Sequence, residues 1–432
     1  MLRTAICLAL LFCSLQAHAG NFPRPAALEP AVQFWIRVYT EVTTRQGYIH
    51  DAQNLSVVYE RVDLDGSESR SARQRLVNKA KARITNAIIA IARGKRGNLD
   101  STEARVLAAW PAGTSARTFA QAANNVRFQL GQSDRFREGL VRSGQWRSHI
   151  REVLAGQGLP QELGVLPHVE SSFNPSAYSR VAAAGMWQFM PRTARDFLRV
   201  DHVVDERMDP FAATRGAAQL LKRNYDITGT WPLALTAYNH GTGGMIRAAR
   251  KVGTTDIGVI VQRYRGSAFG FASRNFYASF LAALEVDRHA DRYFGPLQLD
   301  APTSYALVPM AEYIPARELA QAAGISLEDL KQHNPALLEP IWNGDKHIPR
   351  GYPIRLPQAR LARPLEQIVA ALPPTARFAR QKPDVVHQIR PGESLSVIAS
   401  RYGTSVSKLM SLNGLRNHKI RAGKNLILPG TS

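Results

Sequence analysis

The C-terminal third of the chain repeats itself. Leu319, Ala320, Gly324, Ser326, Leu327, Leu330 and Asn334 recur as Ile398, Ala399, Gly403, Ser405, Val406, Leu409 and Asn413, every pair at one offset of 79 residues. Apolar positions alone can match by chance, but a Gly, a Ser and an Asn held in the same register make a true repeat. Each unit opens on a strand-like run (305–308; 385–389) and closes on another (353–356; 425–428). Two short helical stretches, each capped by Ser or flanked by Gly, lie between. The chain must therefore fold, in this part, into two small βααβ modules. Between them 358–384, rich in Ala, Pro and Arg, reads as a linker with room for a short helix.

At 432 residues the chain exceeds one hydrophobic core, and its 45% apolar content is ordinary for a soluble protein. Residues 1–19 stand apart. Arg3 is followed by a nearly continuous apolar run from Ala5 to Leu15, and Ala17-His18-Ala19 fits a small-x-small cleavage site. The run is too short to span a bilayer, so export followed by cleavage after Ala19 is expected. Both cysteines, Cys7 and Cys13, fall inside this segment, which leaves no disulfide or zinc-thiolate site in the remainder. A lipid anchor on Cys13 is the alternative, although the bulky Phe12 before it fits that signal poorly.

The formal charge is +21, or +20 once Arg3 is removed with the leader. Such a surface favours polyanions. An exported protein rarely meets nucleic acid, and no run of five Lys or Arg occurs, so a bacterial wall or membrane surface is the better partner class. No obligate protein partner is evident.

Residues 20–145 read as a helical region without recognisable chemistry. Val32, Trp35, Ile36 and Tyr39 fall on one helix face, and Ile84, Ile88 and Ile91 on another. Residues 146–298 stay helical with short polar loops. Asp209-Pro210 is a strong helix start, followed by Ala213, Gly216, Ala217 and Leu220 on one side, and Thr230-Trp231-Pro232 opens the next helix.

The chemistry lies in this second region. Breaking a glycosidic bond requires a proton on the leaving oxygen, hence at least one positioned carboxylic acid; hydrolysis normally needs a second carboxylate. Between 163 and 189 the only acidic residue is Glu170. It follows the apolar Leu163, Val165, Leu166 and Val169, near the end of a largely buried helix, where burial favours the neutral acid. A lone helical Glu is solvated surface about nine times in ten; here its surroundings reverse the expectation. Glu170-Ser171-Ser172-Phe173-Asn174-Pro175 is followed by Ser179, then by Gly185-Met186-Trp187-Gln188-Phe189-Met190-Pro191, then by Ala237-Tyr238-Asn239.

These three blocks, over roughly 146–291, resemble the family 1 lytic transglycosylases, similar to the branch of membrane-bound lytic murein transglycosylase D. The resemblance implies a goose-type lysozyme-like helical domain with Glu170 as sole acid/base. It places Ser171 beside the acid, has Ser179 orient the sugar, lines the cleft with Gln188 and Met190, and gives Tyr238 and Asn239 ring stacking and hydrogen bonds. Tyr277 takes the place of the tyrosine that holds the catalytic Glu, though the usual Glu-Thr before it is replaced by Ser273-Arg274, and Ala182 stands for a usual Gly. The second C-terminal unit resembles a LysM module through His387-Gln388-Ile389-Arg390-Pro391-Gly392-Glu393-Ser394-Leu395 and Leu412-Asn413-Gly414-Leu415. That implies recognition of N-acetylglucosamine-containing glycans by Gly392, Ser394, Asn413 and Leu415. The first unit, with Met310-Ala311-Glu312 in place of that opening, is a degenerate relative, as readily a spacer as a binder.

The expected architecture is thus multidomain and mainly α: a leader (1–19), an N-terminal helical region (20–145), a lysozyme-like transglycosylase domain (146–298), a degenerate LysM-like module (303–357), a linker (358–384) and a LysM domain (385–430). The expected activity is cleavage of peptidoglycan glycan strands in the periplasm or cell envelope, with a 1,6-anhydromuramoyl product. A hydrolytic muramidase, marked by a second carboxylate across the cleft, and a catalytically inactive wall-binding protein are the alternatives. No cofactor or metal is implied, since the eleven histidines show no paired ligand spacing.

Overall fold

The computed structural model describes residues 20–64, 66, 69–415 and 417–429. The expected leader, 1–19, lies outside the described residues, and so does the last residue of the expected LysM span. The described residues are mainly helical, with three small antiparallel sheets among them.

The N-terminal region departs from the all-helical expectation. After α1 (Glu29–Thr40), strands β1 (Gln46–Asp51) and β2 (Val58–Asp63) lead into α2 (Arg70–Ala92), α3 (Ser101–Ala108), α4 (Ala116–Ala122) and β3 (Val126–Leu130). The strands form one sheet in the order β2-β1-β3, with β1 at the centre. Ile84, Ile88 and Ile91 of α2 pack against Ile49, Tyr59 and Phe119 in a core of their own. Helix α1 belongs elsewhere. Its Val32, Ile36 and Tyr39 are buried, as their spacing requires, but within the core of the following region.

That region runs through α5 (Ser133–Ser143), α6 (Arg147–Gly156), α7 (Leu166–Ser171), α8 (Pro191–Ala194), α9 (Pro210–Thr228), α10 (Trp231–His240), α11 (Thr242–Val252), α12 (Ile257–Arg263), α13 (Phe271–Arg288) and α14 (Ala290–Phe294). Asp209 caps α9 by accepting from the Phe211 and Ala212 amides, with Pro210 at the first turn. The small face of α9 (Ala213, Gly216, Ala217) is buried against its neighbours, and α13 is buried along nearly its whole length. Because α1 lies along α13, the core of this region draws on residues from outside 146–298.

The repeat folds as expected. The first unit is β4 (Tyr305–Pro309), α15 (Ala316–Ala323), α16 (Leu327–His333), a short α17 (Glu339–Trp342) and β5 (Pro353–Pro357). The intervening 358–384 is not a free linker: α18 (Leu365–Ala370) buries Leu365 and Ile368, with Leu372, in that unit's core. The second unit is β6 (Val386–Gln388), α19 (Leu395–Arg401), α20 (Val406–Leu412) and β7 (Asn425–Ile427) around a separate small core.

The first unit is docked onto the catalytic region. Val203 and Val204 enter its core, the Asp205 amide donates to Ala336 O at 2.8 Å, and the buried Arg355 guanidinium pairs with Asp209, the α9 cap. Just before the second unit, Asp384 is held between His202 (2.9 Å) and Lys346 (2.7 Å).

Candidate active site

Glu170 is the penultimate residue of α7, a short helix wedged into the core by Leu166, Pro167 and His168. Its neighbours are fixed by close packing. A Cβ on Gly139 of α5 would stand 2.9 Å from Ser172 O and 3.1 Å from the His168 ring, so α5 reaches α7 only because that position is glycine. The buried His168 ring stacks on Phe136 (4.5 Å between centroids) and meets Asp287 of α13 at 3.0 Å, where Arg147 also donates at 2.6 Å. Beyond Glu170 the backbone turns sharply, with Ser172 and Phe173 both at positive φ (52° and 56°). Arg142 secures that turn by donating twice to the Ser172 carbonyl (3.2 and 2.8 Å).

Glu170 itself faces a cleft of about 490 Å³ lined also by Ser171, Asn174, Tyr178, Ser179 and Gln188. Among the described residues no hydrogen-bond donor or cation is paired with its carboxyl. Burial alone pushes its pKa up to about 8, the direction a general acid requires.

The expected site residues divide into three groups. Glu170, Ser171, Ser179 and Gln188 line the one cleft. Ser171 is already committed, since its hydroxyl donates to Met186 O at 2.8 Å and accepts from the Asn174 amide at 3.2 Å. Ser179 Oγ accepts from the Ala183 amide at 2.8 Å in a turn whose Ala182 takes positive φ, as the usual Gly would. Gln188, also at positive φ, donates to the carbonyls of Gly185 (2.9 Å) and Ala177 (3.3 Å). This loop leans on the buried Arg207, paired with Asp205 and donating to Ala182 O and Phe189 O. A Cβ on Gly185 would fall 1.7 Å from Arg207 O, which no other residue could tolerate.

Tyr238 stands close to Glu170 without walling the cleft. Its hydroxyl donates to Trp187 O at 2.7 Å, and burial, with the Glu170 charge nearby, raises its pKa well above the ordinary value. Asn239 is exposed and accepts from Ser273 Oγ at 3.0 Å, and Met190 is exposed at the cap of α8.

Tyr277 must be corrected. Its buried hydroxyl donates to Pro23 O at 2.7 Å, because α13 turns that side chain toward the incoming N-terminal segment. Like Tyr238, Tyr39 of α1 feels the Glu170 charge: burial raises its pKa, a hydrogen bond with Ser279 opposes that, and the Glu170 charge adds to the rise. Sequence reasoning also missed the cleft wall supplied by α5, namely Gln132 at its start, Arg135, Glu138 and Arg142. Glu138 is a second carboxylate in the cleft, exposed and within 3.4 Å of Arg142.

In the second βααβ unit Asn413 is likewise committed. Its amide donates to Leu409 O and Ile427 O (both 2.8 Å) and accepts from the Ile427 amide at 2.7 Å. Asn334 makes the same three bonds in the first unit, to Leu330 and Arg355. The repeated Asn is a structural tie between helix and closing strand, not an open sugar contact. Leu415 is partly packed on the small core, Ser394 caps α19, and Gly392 has positive φ with open space around it.

Comparison with known proteins gives two domain matches. Residues 150–261 match the Transglycosylase SLT domain, and residues 387–429 match the LysM domain. The chain carries an SLT domain and a LysM domain. Over 333 residues it is 27% identical to membrane-bound lytic murein transglycosylase D of Escherichia coli K12, covering 71% of each chain. The transglycosylase of Enterobacteria phage PRD1 is 36% identical over 99 residues, 23% of this chain and 36% of that one. The crystal structure of the 70 kDa soluble lytic transglycosylase SLT70 of E. coli aligns at 17% identity and a TM-score of 0.30, covering 51% of this chain and 44% of that one. The SLT match begins within α6 and ends within α12, so it excludes α5, which packs against α7, and α1, which lies along α13.

Proposed function

We infer that the protein is a lytic transglycosylase of peptidoglycan, cutting the β-1,4 bond between N-acetylmuramic acid and N-acetylglucosamine while its LysM domain holds the wall. The observation that carries this is Glu170, the acid of the SLT domain, unpaired in the cleft and kept protonated by burial. Protonated Glu170 donates to the leaving glycosidic oxygen as positive charge develops at the muramoyl C1. The resulting carboxylate takes the proton of the muramoyl C6 hydroxyl, whose oxygen bonds to C1, and no water is consumed. Ser179 and Gln188 orient the sugar; Tyr238 and Tyr39 stiffen the ground behind the acid. Residues 1–19 serve as an export leader and the enzyme works in the periplasm or cell envelope, as the wall-binding domain requires. No helix among the described residues is long and apolar enough to cross a membrane.

Glu138 is the observation that favours a second reading, hydrolysis. It lines the same cleft, but it is solvent-exposed and engaged by Arg142, whereas a general base must be free to take a proton from water. Digestion of purified murein sacculi separates the two. Muropeptides lighter by one water, lacking a reducing muramic acid, are expected; reducing ends as the main product would establish the muramidase.

A further inference from the structure

A second concavity lies beside the cleft. It is a groove of about 720 Å³ between α2, β3 and the turn after Ser179. Arg70, Arg73, Lys81, Arg127 and Arg180 line it, and among the described residues no Asp or Glu does. None of these five cations forms an ion pair with a carboxylate among the described residues, and the Arg73 Nε is buried without a hydrogen-bond partner. Elsewhere on α2 a cation is neutralised: Arg83 reaches Glu60 at 2.6 Å. Like charges gathered on one concavity repel one another and raise the local concentration of anions. Arg127 is held in place over the Phe271 ring, 4.1 Å from its centroid, so part of the array is rigid before any ligand arrives.

The groove adjoins the cleft along two chain segments. Leu130 lines the groove and Gln132, two residues on, lines the cleft; Arg180 lines the groove and Ser179, its neighbour, lines the cleft. A polymer lying in the cleft therefore passes the mouth of the groove. Its floor also holds Val77, Phe128 and Leu130, an apolar surface suited to peptide side chains and poorly matched to a bare phosphate backbone.

We propose that this groove binds the carboxylates of the peptide stems carried by the glycan strand whose sugars occupy the cleft. A stem of four residues spans at most about 14 Å, enough to branch from the muramoyl ring into a neighbouring concavity. The proposal rests on the peptidoglycan reading of the cleft and adds to it a preference for strands that still bear their peptides.

The test uses the full chain and two substrates, glycan strands with intact stems and the same strands stripped of peptide by an amidase. The native enzyme should cleave intact strands with a kcat/KM at least tenfold higher, mostly through KM, and the advantage should shrink as salt rises. The double variant Lys81→Gln/Arg127→Gln should lose that advantage while cleaving stripped strands as the native enzyme does. Equal cleavage of both substrates by the native enzyme, or an equal loss on both in the variant, overturns the proposal. Cleavage of neither overturns the reading of the cleft. Binding of a free stem tetrapeptide, followed by calorimetry, keeps the groove testable apart from catalysis: it should weaken at least tenfold in the variant. Failure of the native protein to bind that peptide, or tighter binding of an oligonucleotide lost in the same variant, would mark a phosphate site instead.

Discussion

Glu170 joins two demands that pull against each other. It must stay protonated to act, and the burial that keeps it so penalises its ionised form. Its folded pKa, about 8, lies above the 4.5 of an ordinary glutamate, so the folded state holds the proton more tightly than the unfolded one. The contribution of Glu170 to stability is then fully present below pH 4.5 and is progressively lost as pH rises toward 8. Turnover should accordingly fall above pH 8, and Glu170→Gln should lose at least about a thousandfold in activity, since an amide cannot donate the required proton. The same variant should melt at a higher temperature than the native protein at pH 8, with the difference vanishing near pH 4; a variant that melts lower at both would refute the buried acid. Asn413→Ala should unfold the LysM domain more easily, by about 1–3 kcal/mol, by leaving the Ile427 amide and carbonyl unpaired, and denaturant unfolding of that domain would register it. Glu170, Ser179 and Gln188 could be found in the sequence because they sit in short blocks whose spacing is set by one loop. Tyr277 and Asn413 are assigned from resemblance, which carries over positions and not the partners a side chain meets in this chain. Pro23 captures the first and the closing strand captures the second.

Helix starts and the repeat were the legible elements. Asp209-Pro210 caps α9 as it reads, and the 79-residue offset yields two βααβ units whose Asn residues make matching bonds. The N-terminal sheet was hidden. Its central strand buries Tyr48, Ile49, His50 and Asp51 in succession, so the usual in-out alternation is missing, and two of those residues are polar. Residues 358–384 misled through composition, since Ala, Pro and Arg suggest a linker while Leu365, Ile368 and Leu372 were spaced to dock. The contact most exposed to a single change is the one between the first repeat unit and α9. Arg355→Ala would leave the Asp209 carboxylate buried beside a lost partner, and the expected cost is about 3–5 kcal/mol. Limited proteolysis should then cut faster between α14 and β4 than in the native chain; an unchanged digestion pattern would show that the apolar contacts of Val203 and Val204 suffice.

At the scale of the whole molecule, the catalytic unit is larger than its motifs. The helix α1 that seals α13, the helix α5 that walls the cleft and the repeat unit that covers Val203 all lie outside 150–261. A fragment of residues 146–298 should therefore be aggregation-prone when expressed alone, judged by light scattering, whereas 20–383 should be monodisperse and active on short soluble strands. Loss of 384–432 should weaken sedimentation with sacculi, because residues 386–428 combine the LysM loops with seven Lys or Arg against one Glu. Raised salt should reduce that sedimentation in the native protein without abolishing it, since it screens exposed charge beyond about 8 Å at physiological strength but leaves neutral sugar contacts intact. The Asp384 clamp has one more consequence. With that residue fixed by His202 and Lys346, only Val385 separates the anchored body from β6, so the wall-gripping domain is mounted rather than tethered. The length of glycan between grip and cut is then a dimension of the protein, as the gap of a caliper is, and not the sweep of a loose leash.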